Sequence, residues 1–151
     1  MKKSICLVGS SGGHLTHLYM LKQTWSKYDR FWVTFNKEDA NDLLSNERVY
    51  HCYYPTNRNL WNLLKNTFLA IYVLFKERPK VIISSGAAVA VPFFYIGKIL
   101  GAKTIYIEVF DRFDKPTLTG KLVYPVTDEF IVQWSTMKKV YPKAKVWGSI
   151  Y

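Results

Sequence analysis

Short runs of unbroken apolar residues recur along this chain, and each gives way to a longer segment with helical spacing. Ile5-Cys6-Leu7-Val8 and Val81-Ile82-Ile83 are the plainest of them. Alternation of apolar and polar residues would mark a strand with one wet face. These runs have no polar face to offer water, so they are buried on both sides. Such strands belong to a parallel sheet covered by helices, with a right-handed crossover between parallel neighbours. The pattern predicts an α/β fold: a Rossmann-like, doubly wound, mainly parallel sheet of about six or seven strands.

Strands are expected at 5–8, 31–35, 49–54, 81–84, 104–109 and 130–133, with a short one at 145–147. Helices are expected at 13–27, 37–45, 59–78 and 89–100, the third stopped by Pro79 and the fourth closed by Gly101. No repeat, low-complexity tract or flexible linker interrupts this order, and residues 1–151 read as one domain. The binding crevice of such a sheet lies outside the carboxyl ends of its strands. The loops that follow those ends are therefore the place to look for chemistry.

Charge narrows the partners. The chain carries 21 Lys+Arg against 11 Asp+Glu, a formal net charge of +10, which favours nucleic acid, anionic lipid or phosphorylated small molecules. Hydrophobic residues make up 49% of it, which excludes a disordered tail. Cys6 and Cys52 match no zinc or redox spacing and read as reduced, buried residues of a cytosolic protein. No apolar stretch reaches the length of a spanning helix, so a soluble or membrane-peripheral protein is expected.

The first strand runs into Val8-Gly9-Ser10-Ser11-Gly12-Gly13-His14. Gly9 suits a sharp turn, and Gly12 and Gly13 let a ligand approach the backbone. Their N–H groups, at a helix start and beside the hydroxyls of Ser10 and Ser11, suit a phosphate or pyrophosphate. Neither the dinucleotide GxGxxG nor the P-loop GK[ST] is present, so no nicotinamide or other cofactor is expected. His14 falls in the first helical turn, either as a general base or hydrogen-bond donor to an oxyanion, or as a capping or structural residue. His17 shares its face but has no third ligand nearby, and no metal is expected; His51, inside a strand, reads as structural.

Ser84-Ser85-Gly86-Ala87-Ala88 repeats the logic after the fourth strand, whether to border the crevice or simply to pack a helix closely. Glu108 ends the fifth apolar run, where a carboxylate must be paired or face a polar crevice. It could bind sugar hydroxyls, act with His14, or only hold Arg112 in an ion pair. Arg112 could clamp a phosphate, and Thr119 and Gly120 open a short helix at the same edge. In the long helix 59–78, Leu60, Leu64, Phe68, Ile71 and Phe75 form a stripe expected to pack on the sheet. Trp61, Lys65, Leu69, Tyr72 and Lys76 form a second stripe, suited either to an anionic bilayer surface or to burial against a partner.

The loop from Val8 to His14, Gly86 with Val89-Ala90-Val91-Pro92, Glu108, Arg112, Leu118-Thr119-Gly120-Lys121-Leu122, Tyr124-Pro125 and 128–134 together resemble the Alg14-like proteins, in the same order along nearly the whole chain. The resemblance implies the N-terminal, acceptor-side half of a split GT-B glycosyltransferase, similar to the acceptor half of MurG. A separate Alg13-like subunit would hold the UDP-sugar, and the acceptor would be a polyprenyl-pyrophosphate-linked sugar at the cytoplasmic face of the membrane. It further implies that the glycine loops face the lipid pyrophosphate, and His14 and Glu108 the acceptor sugar. Eukaryotic members carry an N-terminal membrane anchor that this sequence lacks, and Val109 and Thr117 stand where serines are common in the family. These departures point to a bacterial capsule or exopolysaccharide branch.

Three functional classes follow. The first is a glycosyltransferase subunit, inactive without its partner, with His14 and Glu108 as candidate catalytic residues. Its acceptor-binding set would be Gly9, Ser10, Ser11, Gly12, Gly13, Gly86, Arg112, Thr119 and Gly120. The second is a non-catalytic scaffold that recruits the partner. The third, a nucleic-acid module stacking bases on aromatics, is disfavoured because most aromatics fall inside strand or helix patterns. A chain of 151 residues has room for one Rossmann-like half and none for a donor-binding half, so a partner subunit is expected.

Overall fold

In the computed structural model, which describes residues 4–56, 59–108 and 115–146, the apolar runs are the strands of one parallel sheet. They are β1 (Ser4–Val8), β2 (Asp29–Phe35), β3 (Val49–Cys52), β4 (Val81–Ser84), β5 (Lys103–Ile107), β6 (Glu129–Val132) and β7 (Lys145–Val146). Every neighbouring pair is parallel, in the order β3-β2-β1-β4-β5-β6-β7. The helices are α1 (Gly13–Tyr19), α2 (Lys22–Trp25), α3 (Glu38–Leu43), α4 (Leu60–Glu77), α5 (Ala90–Ile99) and α6 (Leu118–Val123).

Strand periodicity divides the apolar side chains between two cores. Ile5, Leu7, Trp32 and Ile83 meet Leu15 and Leu18 of α1, Trp25 of α2 and Ala40 of α3. Cys6, Val8, Phe31, Val33 and Ile82 meet Ala70, Val73 and Leu74 of α4, Phe93 and Phe94 of α5 and Val123 of α6. Both faces of the central strands are thus dry, and the doubly wound architecture is the one the runs predicted.

Local departures have local causes. The helix expected over 13–27 is two helices, because the Trp25 indole N–H donates to the Leu18 carbonyl at 3.0 Å and so satisfies an end-of-helix acceptor. The strand expected over 49–54 ends at Cys52, because Asn66 takes over both backbone groups of Tyr53, accepting its N–H at 2.8 Å and donating to its carbonyl at 3.1 Å. Val109 and Trp147, placed in strands from sequence, lie outside the described residues. Cys6 and Cys52 are free and buried, and burial pushes the Cys52 thiol up to about 12.

The largest correction concerns α4. The stripe expected to pack on the sheet faces outward: Leu60 is 81% exposed and Phe68 64%, and Leu64, Ile71 and Phe75 are exposed with them. The inward stripe is Asn62, Asn66, Ala70, Val73 and Leu74. Its first half crosses the chain beyond β3, where backbone groups need partners; Asn66 serves Tyr53 and Asn62 donates to the Pro55 carbonyl at 2.8 Å. Asn59 caps the helix by accepting the Asn62 N–H at 3.0 Å, and Arg78 ends it in the left-handed region at φ 49°. Among the described residues no helix is long and apolar enough to cross a membrane.

Candidate active site

β1 and β4 are neighbours at the middle of the sheet, yet β1 leads to α1 on one face and β4 to α5 on the other. Their loops diverge at the carboxyl end, and the crevice opens there, as the topology requires.

In the loop after β1, Gly9 continues the sheet by donating its N–H to Val33 at 3.0 Å. Gly12 turns the chain with φ 80°, and its N–H donates to the Asp39 carboxylate of α3 at 2.8 Å. A carboxylate of the protein therefore holds one of the donors expected to receive a phosphate. Asp39 carries no motif, and only the packing of α3 beside α1 brings it there. Ser10 borders a smaller hollow beside the crevice; Gly13 is exposed at the start of α1, and Ser11 lies two residues before it.

The loop after β4 closes on His14. The Ser85 hydroxyl donates to the His14 carbonyl at 2.6 Å, and the Ser85 carbonyl lies 3.0 Å from His14 Nδ1. Gly86 has φ 144°, and a Cβ there would stand 2.3 Å from His14 Cε1. Glycine is required at 86 because the imidazole occupies the place of its side chain. The two glycine loops are therefore in direct contact, made through His14.

The crevice has a volume of about 470 Å³ and is bordered by His14, Gly86, Thr56, Tyr106, Thr117 and Thr119, among others. A second hollow of about 280 Å³ shares His14 and Thr56 with it and adds Lys37 and Tyr54. The Lys37 ammonium sits 5.1 Å from the Tyr54 ring centroid, a cation–π contact that holds positive charge at the rim. Lys37, Thr56 and Tyr54 were not singled out from sequence, since their loops carry no glycine signature.

Glu108 is paired, one of the arrangements the sequence left open for it. It is 0% exposed, and Thr117 and Tyr106 border the crevice in front of it. Its carboxylate accepts the Thr117 hydroxyl at 2.9 Å, the Thr117 N–H at 3.3 Å and the Tyr141 hydroxyl at 3.4 Å. Burial, and then the charge of Glu108, push the Tyr106 and Tyr141 hydroxyls well above the usual tyrosine range, so both stay protonated donors. A carboxylate so enclosed ties the end of β5 to the start of α6. Gly120 is also internal, because a Cβ there would lie 2.6 Å from Glu108 Oε2 and 2.8 Å from the Tyr141 hydroxyl. Of the α6 pair, only Thr119 borders the crevice. Arg112 lies outside the described residues. Among the described residues no three His, Cys, Asp or Glu side chains gather as a metal-ligand set.

The sequence profile of the family described as "Oligosaccharide biosynthesis protein Alg14 like" matches residues 53–150. The chain belongs to the Alg14 family. It is 28% identical over 161 residues to the UDP-N-acetylglucosamine transferase subunit ALG14 of Candida albicans, covering 91% of this chain and 74% of that protein. To the human subunit of the same name it is 26% identical over 178 residues, covering 97% of this chain and 82% of the relative. Both of these Alg14 relatives are named as subunits of a transferase, and a subunit is what the sequence predicted.

Solved structures place this Alg14 member's fold. It superposes on MurG of Acinetobacter baumannii with a TM-score of 0.74 at 17% identity, covering 89% of this chain and 42% of MurG. A UDP-GlcNAc 2-epimerase from Methanocaldococcus jannaschii matches with a TM-score of 0.71 at 14% identity, covering 95% of this chain and 45% of the enzyme. The Alg14 chain thus spans less than half the length of either.

Proposed function

We propose that residues 1–151 act as one acceptor-binding domain of a heteromeric, inverting glycosyltransferase. An Alg13-like partner would hold a UDP-sugar, and this subunit would present a polyprenyl-pyrophosphate-linked sugar to it. The group transferred is a hexosyl or N-acetylhexosaminyl unit, in bacterial capsule or exopolysaccharide synthesis, and neither subunit turns over alone. The observation that carries the reading is the placement of His14 at the β1–β4 divergence, bordering a crevice large enough for a sugar.

In the reaction an acceptor hydroxyl attacks the anomeric carbon as the bond from that carbon to the UDP oxygen breaks. The hydroxyl proton passes to His14, and UDP leaves with the bonding electrons. Ser10, Gly13, Gly86 and Thr119 are the proposed acceptor contacts. Gly12 joins them once Asp39 releases its N–H, and Arg112 supplies a charge to the diphosphate. Gly9 and Ser11 shape the loop.

The same reading puts the protein on the inner face of the membrane. The outer face of α4 exposes Leu60, Trp61, Leu64, Phe68 and Tyr72, with Lys65 and Lys76 interleaved. The one carboxylate of this helix, Glu77, is turned away to Arg48 and Tyr50. Apolar rings and lysines without acids suit an anionic bilayer. A protein docked there meets its lipid-linked acceptor without leaving the surface.

The deciding experiment is co-purification with the neighbouring small α/β reading frame, followed by transfer assays with several UDP-sugars. The complex should transfer sugar and either subunit alone should not. His14→Ala should lower kcat by about 10²–10⁴-fold in a complex that still assembles. Wild-type turnover by that complex would leave the subunit a scaffold.

A further inference from the structure

We infer that Ser84, Ser85 and Gly86 clamp the neutral imidazole of His14 in a single tautomer, with the proton on Nδ1 and the lone pair on Nε2. The inference deepens the reading of His14 as the base and takes its catalytic meaning from it.

A carbonyl oxygen has no proton to give. With the Ser85 carbonyl 3.0 Å from Nδ1, a hydrogen bond forms only when Nδ1 carries the hydrogen. Ser85 holds His14 a second time, through its hydroxyl on the His14 carbonyl at 2.6 Å. Ring and main chain of His14 are therefore both tied to one residue of the neighbouring strand's loop. Ser85 is wholly buried and His14 half-buried, so the bonds are shielded from the Ser85 side.

The carbonyl is held in position by the residues on either side of it. Ser84 Oγ accepts the Gly86 N–H at 3.1 Å and donates to the Gly86 carbonyl at 3.3 Å, closing the turn that contains the Ser85 carbonyl. Gly86 admits the ring, since a Cβ there would lie 2.4 Å from Nδ1 itself. Nε2, across the ring from the clamp, is the nitrogen left to the crevice that His14 borders.

The chemistry needs this arrangement. An imidazole in water prefers its proton on Nε2, the tautomer that has no lone pair at the reacting end. The tautomer of a catalytic histidine is set by the bond its other nitrogen makes. Here a backbone carbonyl makes that bond, and Ser84 and Ser85 are positioning residues that act through His14.

The test reads the tautomer directly. In the ¹⁵N-labelled full chain, long-range ¹H–¹⁵N correlation separates a protonated ring nitrogen from a bare one, and loss of signals in His14→Gln assigns them. The neutral ring should show Nδ1 protonated and Nε2 bare. The reverse pattern, or an averaged one, overturns the clamp. Ser85→Ala keeps the carbonyl but releases the His14 main chain from the loop that bears it, and should give a tautomer mixture and about tenfold lower kcat with little change in KM. Ser85→Thr, which keeps the hydroxyl, should restore both, so that a folding defect in the alanine variant is told apart. An unaltered tautomer and kcat in Ser85→Ala would remove Ser85 from the device. A clamped tautomer alongside full turnover by His14→Ala would overturn the base reading and leave the clamp standing.

Discussion

The hydroxyl of Thr117 donates to the buried carboxylate of Glu108 at 2.9 Å and accepts the N–H of Gly120 at 3.0 Å. One threonine thus links the end of β5 to the first turn of α6, which borders the crevice. Glu108→Ala would remove the carboxylate to which the Thr117 and Tyr141 hydroxyls both donate. The expected cost is about 2–3 kcal/mol, read by urea denaturation, with a smaller loss for Glu108→Gln. A cost below about 0.5 kcal/mol would show that the network does not hold α6.

On α4 the residue types invert the usual expectation for stability. Asn66→Ala should destabilise by about 2 kcal/mol, because the backbone of Tyr53 loses both an acceptor and a donor in two half-buried bonds. Phe68→Ala, 64% exposed, should cost less than about 0.5 kcal/mol. Thermal denaturation of the two variants side by side checks the order.

The outer face of α4 should matter for lipid binding. Replacing Leu64 and Phe68 together by Asp should abolish flotation with anionic vesicles while the melting temperature stays within a few degrees. Equal recovery of the wild-type protein with neutral and anionic vesicles would remove the electrostatic part of the attraction.

Asp39 holds the Gly12 N–H at 2.8 Å, so an incoming diphosphate must displace it. Asp39→Ala should lower the KM for the lipid-linked acceptor several-fold in the reconstituted transferase, with kcat little changed. An unchanged KM would show that Gly12 does not bind the acceptor.

Asp128 supplies a pH dependence whose sign can be worked out. Burial pushes its carboxyl up, but bonds from Lys98 and from the Thr104 N–H at 2.8 Å outweigh that and hold it below the ordinary 3.8. The folded protein therefore binds the proton less well than the unfolded chain. The stabilisation is complete above the ordinary carboxylate range and is lost as pH falls through the lowered folded value. Asp128→Asn should cost about 1 kcal/mol at pH 7, a gap that closes on acidification below about pH 4. Denaturation midpoints of both proteins across that range measure it.

Much of the fold could be read directly from the sequence. Ile5–Val8 and Val81–Ser84 announce buried parallel strands because each is apolar at consecutive positions, and β4 runs over the expected residues. Likewise, Gly12 and Gly86 mark turns through conformations that only glycine adopts readily, and both have positive φ. His14 stood out because it follows such a turn at the start of a helix. These are local properties, carried by a few adjacent residues, and a sequence displays them without help.

What the sequence could not display is which neighbour each group meets. Glu108 reads equally well as a base in a crevice or as a buried strut. The Thr117 and Tyr141 hydroxyls, 9 and 33 residues away, are the partners that hold it. Asp39 carries no motif and Ser85 stands in the second glycine loop with no partner marked, yet one holds Gly12 and the other holds His14, across 27 and 71 residues. The face of α4 was misread because large apolar residues mark burial only when something covers them. Here the sheet edge offered unpaired backbone, and the asparagines went inside to meet it. The sequence by itself determined the order of strands and helices and the two glycine turns, because backbone sterics and apolar period act over a few residues. Tertiary structure alone decided which polar groups are struts, which face of α4 stays outside and which atoms hold His14, because those depend on partners that only folding brings within 3 Å.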